Sequence, residues 1–281
     1  MDEIQKYWFD SQGYFVVPNI LNASEIEALK ATMGPATEQH TPGQKEDNPL
    51  HWSAEWRALL DLPTLRPVLE ALVGNHGFRE YRMRKHGENI LPTYRLDHIN
   101  VHQHVAMGYP GMDLHGGWNT TGGSQYFRYH DGQFYNGLVV VAFELFDTHD
   151  NGGGFCCIPG SHKSNLPLPD GWREKGGDAG GLLKGIPAHA GDAIIFTETL
   201  VHGTLPWQTN EPRQTIFYKF SPHSTSWTAD YFDPADFTQY ADITNRQLAL
   251  LEPPNARYMG RKSRPPIRPE TDSQPENLRK H

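Results

Sequence analysis

Apolar residues along the chain follow two different spacings. Near the start, Asn22 and Glu25 form a capping-box pair, and Ile26, Leu29 and Met33 recur at helical intervals, which predicts an early helix. Leu65, Val68, Leu69 and Leu72 predict a second helix, opened by Thr64 as N-cap and closed by Gly74. The polar, proline-bearing stretch from Thr41 to Asn48 reads as a loop between them. From about Tyr94 the pattern becomes short apolar runs separated by Gly, Pro and Asn, as strands joined by turns would give. Leu138 to Leu145 reads as a buried central strand, and the DNGGG ending at Gly154 as a turn into a strand from Phe155 to Ile158. Ala193 to Thr197 and Thr215 to Phe220 read as two more strands, and Asp233 to Leu251 as a late helix. The order predicts an all-β core with flanking helices, a double-stranded β-helix or cupin-like jelly roll. Residues 1–251 are expected to form one domain, followed by a mobile Pro- and charge-rich tail over 252–281.

Composition narrows the function classes. A net charge of −8 argues against gripping polymeric nucleic acid through its phosphates but leaves a small anionic substrate open. The opening MDEIQKYWFD lacks the basic start and apolar run of a signal peptide, and no apolar stretch approaches the roughly 18 residues of a membrane span, so a soluble, cytoplasmic protein is expected. The two cysteines, Cys156 and Cys157, are adjacent and read as inert core thiols rather than a disulfide or zinc site. No Walker loop or GxGxxG fingerprint supports nucleoside-triphosphate hydrolysis or Rossmann dinucleotide binding.

Fifteen histidines are too many for residue type alone to select ligands, so context must do it. His202 lies in FTETLVHGTLPW, just past one strand, and Arg213 lies at the edge of the next, so antiparallel pairing can bring both to one barrel mouth. Arginine suits such a place because its planar guanidinium grips a carboxylate through two parallel hydrogen bonds. The segments FDSQGYFVVPNILNASEIEAL, GGFCCIPGSHKSN and HGTLPW, with Arg213 after them, together resemble the phytanoyl-CoA-dioxygenase-like enzymes that use Fe(II) and 2-oxoglutarate. The resemblance covers roughly residues 8 to 222. It implies that His202 is an iron ligand and that Arg213 holds the far carboxylate of 2-oxoglutarate. In that family an H-x-D motif lies about ninety residues earlier; the matching segment is DLHGGWN, where His115 stands 87 residues before His202 and Gly117 occupies the place of the carboxylate.

Gly117 is the informative departure. Two imidazoles and a carboxylate normally occupy one face of Fe(II), and a missing carboxylate opens a position for a halide. Iron halogenases similar to this family carry H-x-A or H-x-G, so the resemblance implies halogenation of a small molecule with Fe(II), 2-oxoglutarate, chloride and O2. The LHGG context is similar to nucleotide halogenases of chlorinated purine-nucleoside antibiotic pathways, which act on 2′-deoxyadenosine monophosphate. Asn100, Gln103 and His104, on a strand before the metal loop, are candidates for holding the cosubstrate or supporting the ligands.

Other readings compete. His86, Gly87 and Glu88 make the one H-x-E match and would give an ordinary hydroxylase, although at the wrong spacing to His202. Asp113, Asp131 or Asp150 can supply a remote carboxylate, but solvated turns explain each more simply, and His130, His149 and His162 read as structural. Trp118, Tyr126, Phe127, Tyr129, Phe134 and Tyr135 form either a stacking surface or a hairpin packed on the barrel. Arg82, Arg84 and Lys85 read as a solvated basic face or a phosphate site. A noncatalytic jelly-roll binding module is the remaining alternative, and retention of His115, His202 and Arg213 together argues against it.

Overall fold

A computed structural model describes residues 1–33, 48–74, 92–104, 107–117 and 124–256. Its strands are β1 (Tyr14–Val17), β2 (Tyr94–His104), β3 (Met112–His115), β4 (Phe127–His130), β5 (Gln133–Asn136), β6 (Val139–Glu144), β7 (Gly154–Cys157), β8 (Lys184–Gly185), β9 (Ala193–Thr197), β10 (His202–Leu205) and β11 (Arg213–Pro222). The helices are α1 (Glu3–Gln12), α2 (Ala23–Ala31), α3 (Ala54–Ala58), α4 (Arg66–Leu72) and α5 (Asn245–Leu250). A larger sheet in the order β1-β9-β6-β11-β2 faces a smaller one in the order β3-β10-β7-β8, and β4 and β5 form a separate hairpin. This is the mostly β, jelly-roll arrangement the sequence pattern predicts.

The central strands β6 and β9 of the larger sheet are largely apolar on both faces because each face has its own cover. Val139, Val141 and Phe143 of β6 and Ile216 and Tyr218 of β11 join one core with helical residues such as Leu29, Trp56 and Leu69. The alternate residues Val140, Ala142 and Phe217 turn inward, against Phe155 and Cys157 of the smaller sheet. Period-two alternation therefore sorts the residues of β6 and β9 into an outer, helix-covered set and an inner set between the sheets. Cys156 and Cys157 are free and buried, and burial pushes the Cys156 thiol up to about 12, as inert core thiols require. Among the described residues no helix is long and apolar enough to cross a membrane.

Local chemistry corrects several sequence expectations. The Asn22–Glu25 capping box opens α2 as expected. The N-cap of α4 is Leu65 rather than Thr64, with no side-chain cap, because Pro67 favours the first helical turn whatever precedes it. The late helix splits into a 3-10 turn, Pro234–Phe237, and α5. Between them Asp242 takes a two-pronged ion pair from Arg57, at 2.7 and 2.9 Å, and Thr244 then caps the new helix. The supposed tail begins packed, since Glu252 is fully buried and its carbonyl accepts from Arg95 Nε at 2.9 Å. Residues 34–47, which hold most of the Thr41 to Asn48 loop, and residues 257–281 lie outside the described part. The aromatic segment is a hairpin: Phe127 and Phe134 pack on Phe9, and Asp131 and Gly132, at φ +52° and +75°, make its tight turn. Trp118 is outside the described residues.

His162 shows how this packing couples to pH. Its Nε2 donates to the Asp10 carbonyl at 3.0 Å, its ring stands edge-on to Phe127, and burial pushes its pKa down to about 4. A histidine neutral when folded but near 6.5 when unfolded binds fewer protons in the native state, so stability is lost as pH falls from about 6.5 towards 4. Chemical denaturation of His162→Gln should therefore show a shallower loss between pH 7 and pH 5 than the unaltered chain, by roughly 2 kcal/mol. Parallel pH slopes would contradict this.

Candidate metal centre

Strand β10 runs antiparallel beside β3, with His202 directly opposite His115, and their ring centroids lie 4.1 Å apart. His115 Nδ1 lies 3.2 Å from the Asp113 carbonyl and His202 Nδ1 lies 2.7 Å from the Leu200 carbonyl. A carbonyl only accepts, so in both rings Nδ1 carries the proton and the lone pair sits on Nε2. That is the tautomer a metal ligand needs. His202 is buried between Phe155 and Phe196, and burial, aided by His115, pushes its pKa down to about 3, which keeps the ring neutral.

A third group joins them that the sequence pattern does not reveal. The ligand atoms of His115, His202 and Glu198 all lie within 4.8 Å of one another, with Glu198 Oε1 3.8 Å from His202 Nε2. Glu198 is buried at the end of β9, and Lys219 Nζ lies 3.2 Å from both of its carboxylate oxygens. Burial alone would raise the Glu198 pKa, but Lys219, with the imidazoles of His202 and His115, outweighs it and holds the carboxyl at about 2. Its spacing, four residues before His202, matches no H-x-D or H-x-E pattern, so only three-dimensional proximity singles it out.

On the larger sheet, β2 and β11 pair so that Arg213, Thr215, Phe217 and Lys219 lie opposite His104, His102, Asn100 and His98. Alternation turns this set inward, and a cavity of about 520 Å³ is lined by His98, Asn100, His102, Phe217 and Lys219 together with the metal cluster. Arg213 is 1% exposed, and none of its three guanidinium nitrogens has a hydrogen-bond partner among the described residues. His102 Nδ1, His104 Nε2 and Asn100 Oδ1 are likewise buried without one. An unpaired buried guanidinium is expensive, so this donor set fits a carboxylate ligand such as the far end of 2-oxoglutarate. The neighbouring Glu144, pushed up by burial despite Arg213, accepts from Thr215 Oγ1 at 2.7 Å. Gln103 departs from expectation: it pairs with Gln214 on the opposite face, in line with Ile99 and Val101 of the outer core, so the structure does not bring it to the cavity.

The loop carrying Gly117 is pressed onto the β9–β10 turn. Gly117 has φ +74°, its N–H donates to the Thr199 carbonyl at 2.8 Å, and a Cβ there would fall 2.7 Å from Val201 Cγ2. Glycine is favoured here by the backbone angle, and any Cβ would have to displace the Val201 methyl. Arg173 Nη1 donates to the Leu114 carbonyl at 3.2 Å, and Asp113 Oδ1 accepts from the Lys175 N–H at 2.9 Å, so Asp113 ties this loop to the next rather than facing the cluster. Asp131, in its hairpin turn, and Asp150 are exposed, as are His130 and His149. His86, Glu88, Arg82, Arg84 and Lys85 lie outside the described residues.

The two imidazoles, the carboxylate beside them and the buried arginine of β11 invite comparison with known proteins. Residues 118–215 match the phytanoyl-CoA dioxygenase (PhyH) family. The matched segment contains Glu198, His202 and Arg213, and His115 precedes it. The chain is similar to the crystal structure of HygX from Streptomyces hygroscopicus with iron bound, at 21% identity and TM-score 0.62, covering 80% of this chain and 88% of that one. HygX with nickel and 2-oxoglutarate bound gives 23% identity and TM-score 0.61 over 80% and 89%. The α-ketoglutarate-dependent epimerase SnoN from nogalamycin biosynthesis gives 16% and 0.50 over 79% and 83%. These likenesses show a shared fold around the PhyH segment. No curated protein sequence matches the chain.

Proposed function

We propose that this chain is an Fe(II)- and 2-oxoglutarate-dependent enzyme in which His115 and His202 hold the iron and Arg213 holds the cosubstrate. The observation that carries the reading is a pair of facing imidazoles, each with its lone pair on Nε2, together with a buried arginine that has no hydrogen-bond partner among the described residues. Iron and 2-oxoglutarate bound to HygX support the same cofactors here. When bound, they would let O2, the oxidant, break an unactivated C–H bond, with oxidative decarboxylation of 2-oxoglutarate supplying the other two electrons. The protein's own part is positional. His115 and His202 present neutral nitrogen to one face of the ion, Arg213 offers parallel N–H donors to a carboxylate, and the apolar walls of Phe155, Phe196 and Phe217 exclude water.

The finer reading is a halogenase. Gly117 puts no side chain where H-x-D would put a carboxylate, and the nearby Glu198 is engaged by Lys219, which supports a position open to chloride. For substrate, a cavity of about 520 Å³ is ample for a small molecule, and Trp227 at its wall stacks on His98 at 5.2 Å and 26°, giving a flat surface for a ring such as the base of 2′-deoxyadenosine monophosphate. Incubation of the chain with this nucleotide, chloride, Fe(II), 2-oxoglutarate and O2 should give a product with one chlorine in place of one hydrogen. A hydroxylated product formed equally well without chloride would favour the second reading, an oxygenase with Glu198 as third ligand, which the 4.8 Å cluster supports.

Gly117→Asp should abolish chlorination and also lower the melting temperature, since the new side chain meets Val201 at a positive φ, a strain of about 1–3 kcal/mol. Chlorination at the original rate would show that the halide binds elsewhere.

A further inference from the structure

Glu198 and Lys219 reach the cavity from different strands, and neither belongs to the family pattern that singled out His115, His202 and Arg213. Glu198 follows β9 directly, its N–H tied to the Leu138 carbonyl at 3.1 Å, so its backbone is fixed and its side chain decides where the charge goes. Two groups compete for that charge. Lys219 Nζ is 3.2 Å from each oxygen, while His202 Nε2 is 3.8 Å from the nearer one. A metal bound at about 2.1 Å to adjacent nitrogen and oxygen ligands needs them roughly 3.0 Å apart. The carboxylate would therefore have to leave its symmetrical contact with Lys219 to become a ligand. Lys219 is itself held on β11 opposite His98, with its side chain 12% exposed, so no abundant solvent replaces Glu198 as its partner.

We infer that Lys219 is a specificity-determining residue: by binding the Glu198 carboxylate it keeps an available third ligand off the metal and so holds the site at two protein ligands. Without the lysine, a buried carboxylate would be left uncompensated beside a dication, and coordination is its nearest relief. The number of ligands is then set by a cation on a neighbouring strand as well as by the residue two places after the first histidine. This inference rests on His115 and His202 holding the ion.

The test is a set of metal affinities on the full-length protein, read anaerobically with Co(II) by its absorption and by competition with a chelator. Glu198→Gln is expected to bind Co(II) within about threefold of the unaltered chain, whereas Lys219→Met should bind at least about tenfold more tightly, the scale on which supporting groups tune metal sites. Lys219→Met combined with Glu198→Gln should return to the starting affinity. With 2-oxoglutarate present, chloride should shift the cobalt spectrum of the unaltered chain but not of Lys219→Met. Tenfold or greater weakening in Glu198→Gln would mean that the carboxylate is already a ligand and would overturn the inference, as would unchanged or weaker binding by a folded Lys219→Met. Should Lys219→Met not fold, the Glu198→Gln affinity decides alone. His202→Ala serves as control: if it binds Co(II) as well as the unaltered chain, the underlying metal site fails, a result distinguishable from a failure of Lys219 to restrain Glu198.

Discussion

Replacing His202 by alanine should lower Fe(II) affinity by at least about 100-fold and bring 2-oxoglutarate consumption down to background, because the proposed two-imidazole site would lose half of its protein ligands. His115→Ala should do the same to the metal. The two variants separate on stability. His202 is 5% exposed and wedged between Phe196, 4.8 Å away by ring centroids, and Phe155, so its truncation leaves a void between the sheets and should cost about 1–3 kcal/mol. His115 is exposed at the end of β3, and its truncation should leave the melting temperature nearly unchanged. Metal content and thermal melts of the apo proteins check both halves. Iron retained at full occupancy by either variant would remove that histidine from the ligand set, and a large loss of stability in His115→Ala would mean that its role is in folding.

Replacing Arg213 by methionine should move stability and binding in opposite directions. All three guanidinium nitrogens are buried without a hydrogen-bond partner among the described residues, and burial pushes the arginine's own pKa down although Glu144 acts the other way, so the charge opposes folding until a second, directly bonded carboxylate arrives. A similarly sized apolar side chain removes that penalty, and the cosubstrate-free variant should be more stable by about 1–3 kcal/mol. The same change takes away both donors for the far carboxylate, and 2-oxoglutarate should bind about 100- to 1000-fold more weakly, the range found when one partner of a buried charge pair is truncated. Denaturation of the apo protein and calorimetric titration with 2-oxoglutarate and Co(II) measure the two effects. Destabilisation with unchanged cosubstrate affinity would make Arg213 a structural residue and send the search for the carboxylate anchor to His102 and His104, whose Nδ1 and Nε2 are also unpartnered.

Period and punctuation along the chain were enough to give the central strand at Val139–Glu144, the strand at Ala193–Thr197, the capped helix after Asn22 and the β architecture, because hydrophobic alternation and capping are local properties. The paired histidines were legible as well, since a resemblance in motif order carried His115 and His202, and the fold sets them opposite each other. Only tertiary structure decided which neighbours share their cavity. Gln103 and His104 are adjacent in sequence, yet strand parity sends one to the outer face and the other inward, and parity is fixed by register against β11 rather than by either residue. Glu198 and Lys219 meet because β9 and β11 flank β6, a long-range pairing with no trace in local spacing. The paired histidines follow from short motifs; the charged groups beside them come from strands distant in sequence, whose adjacency is fixed by packing.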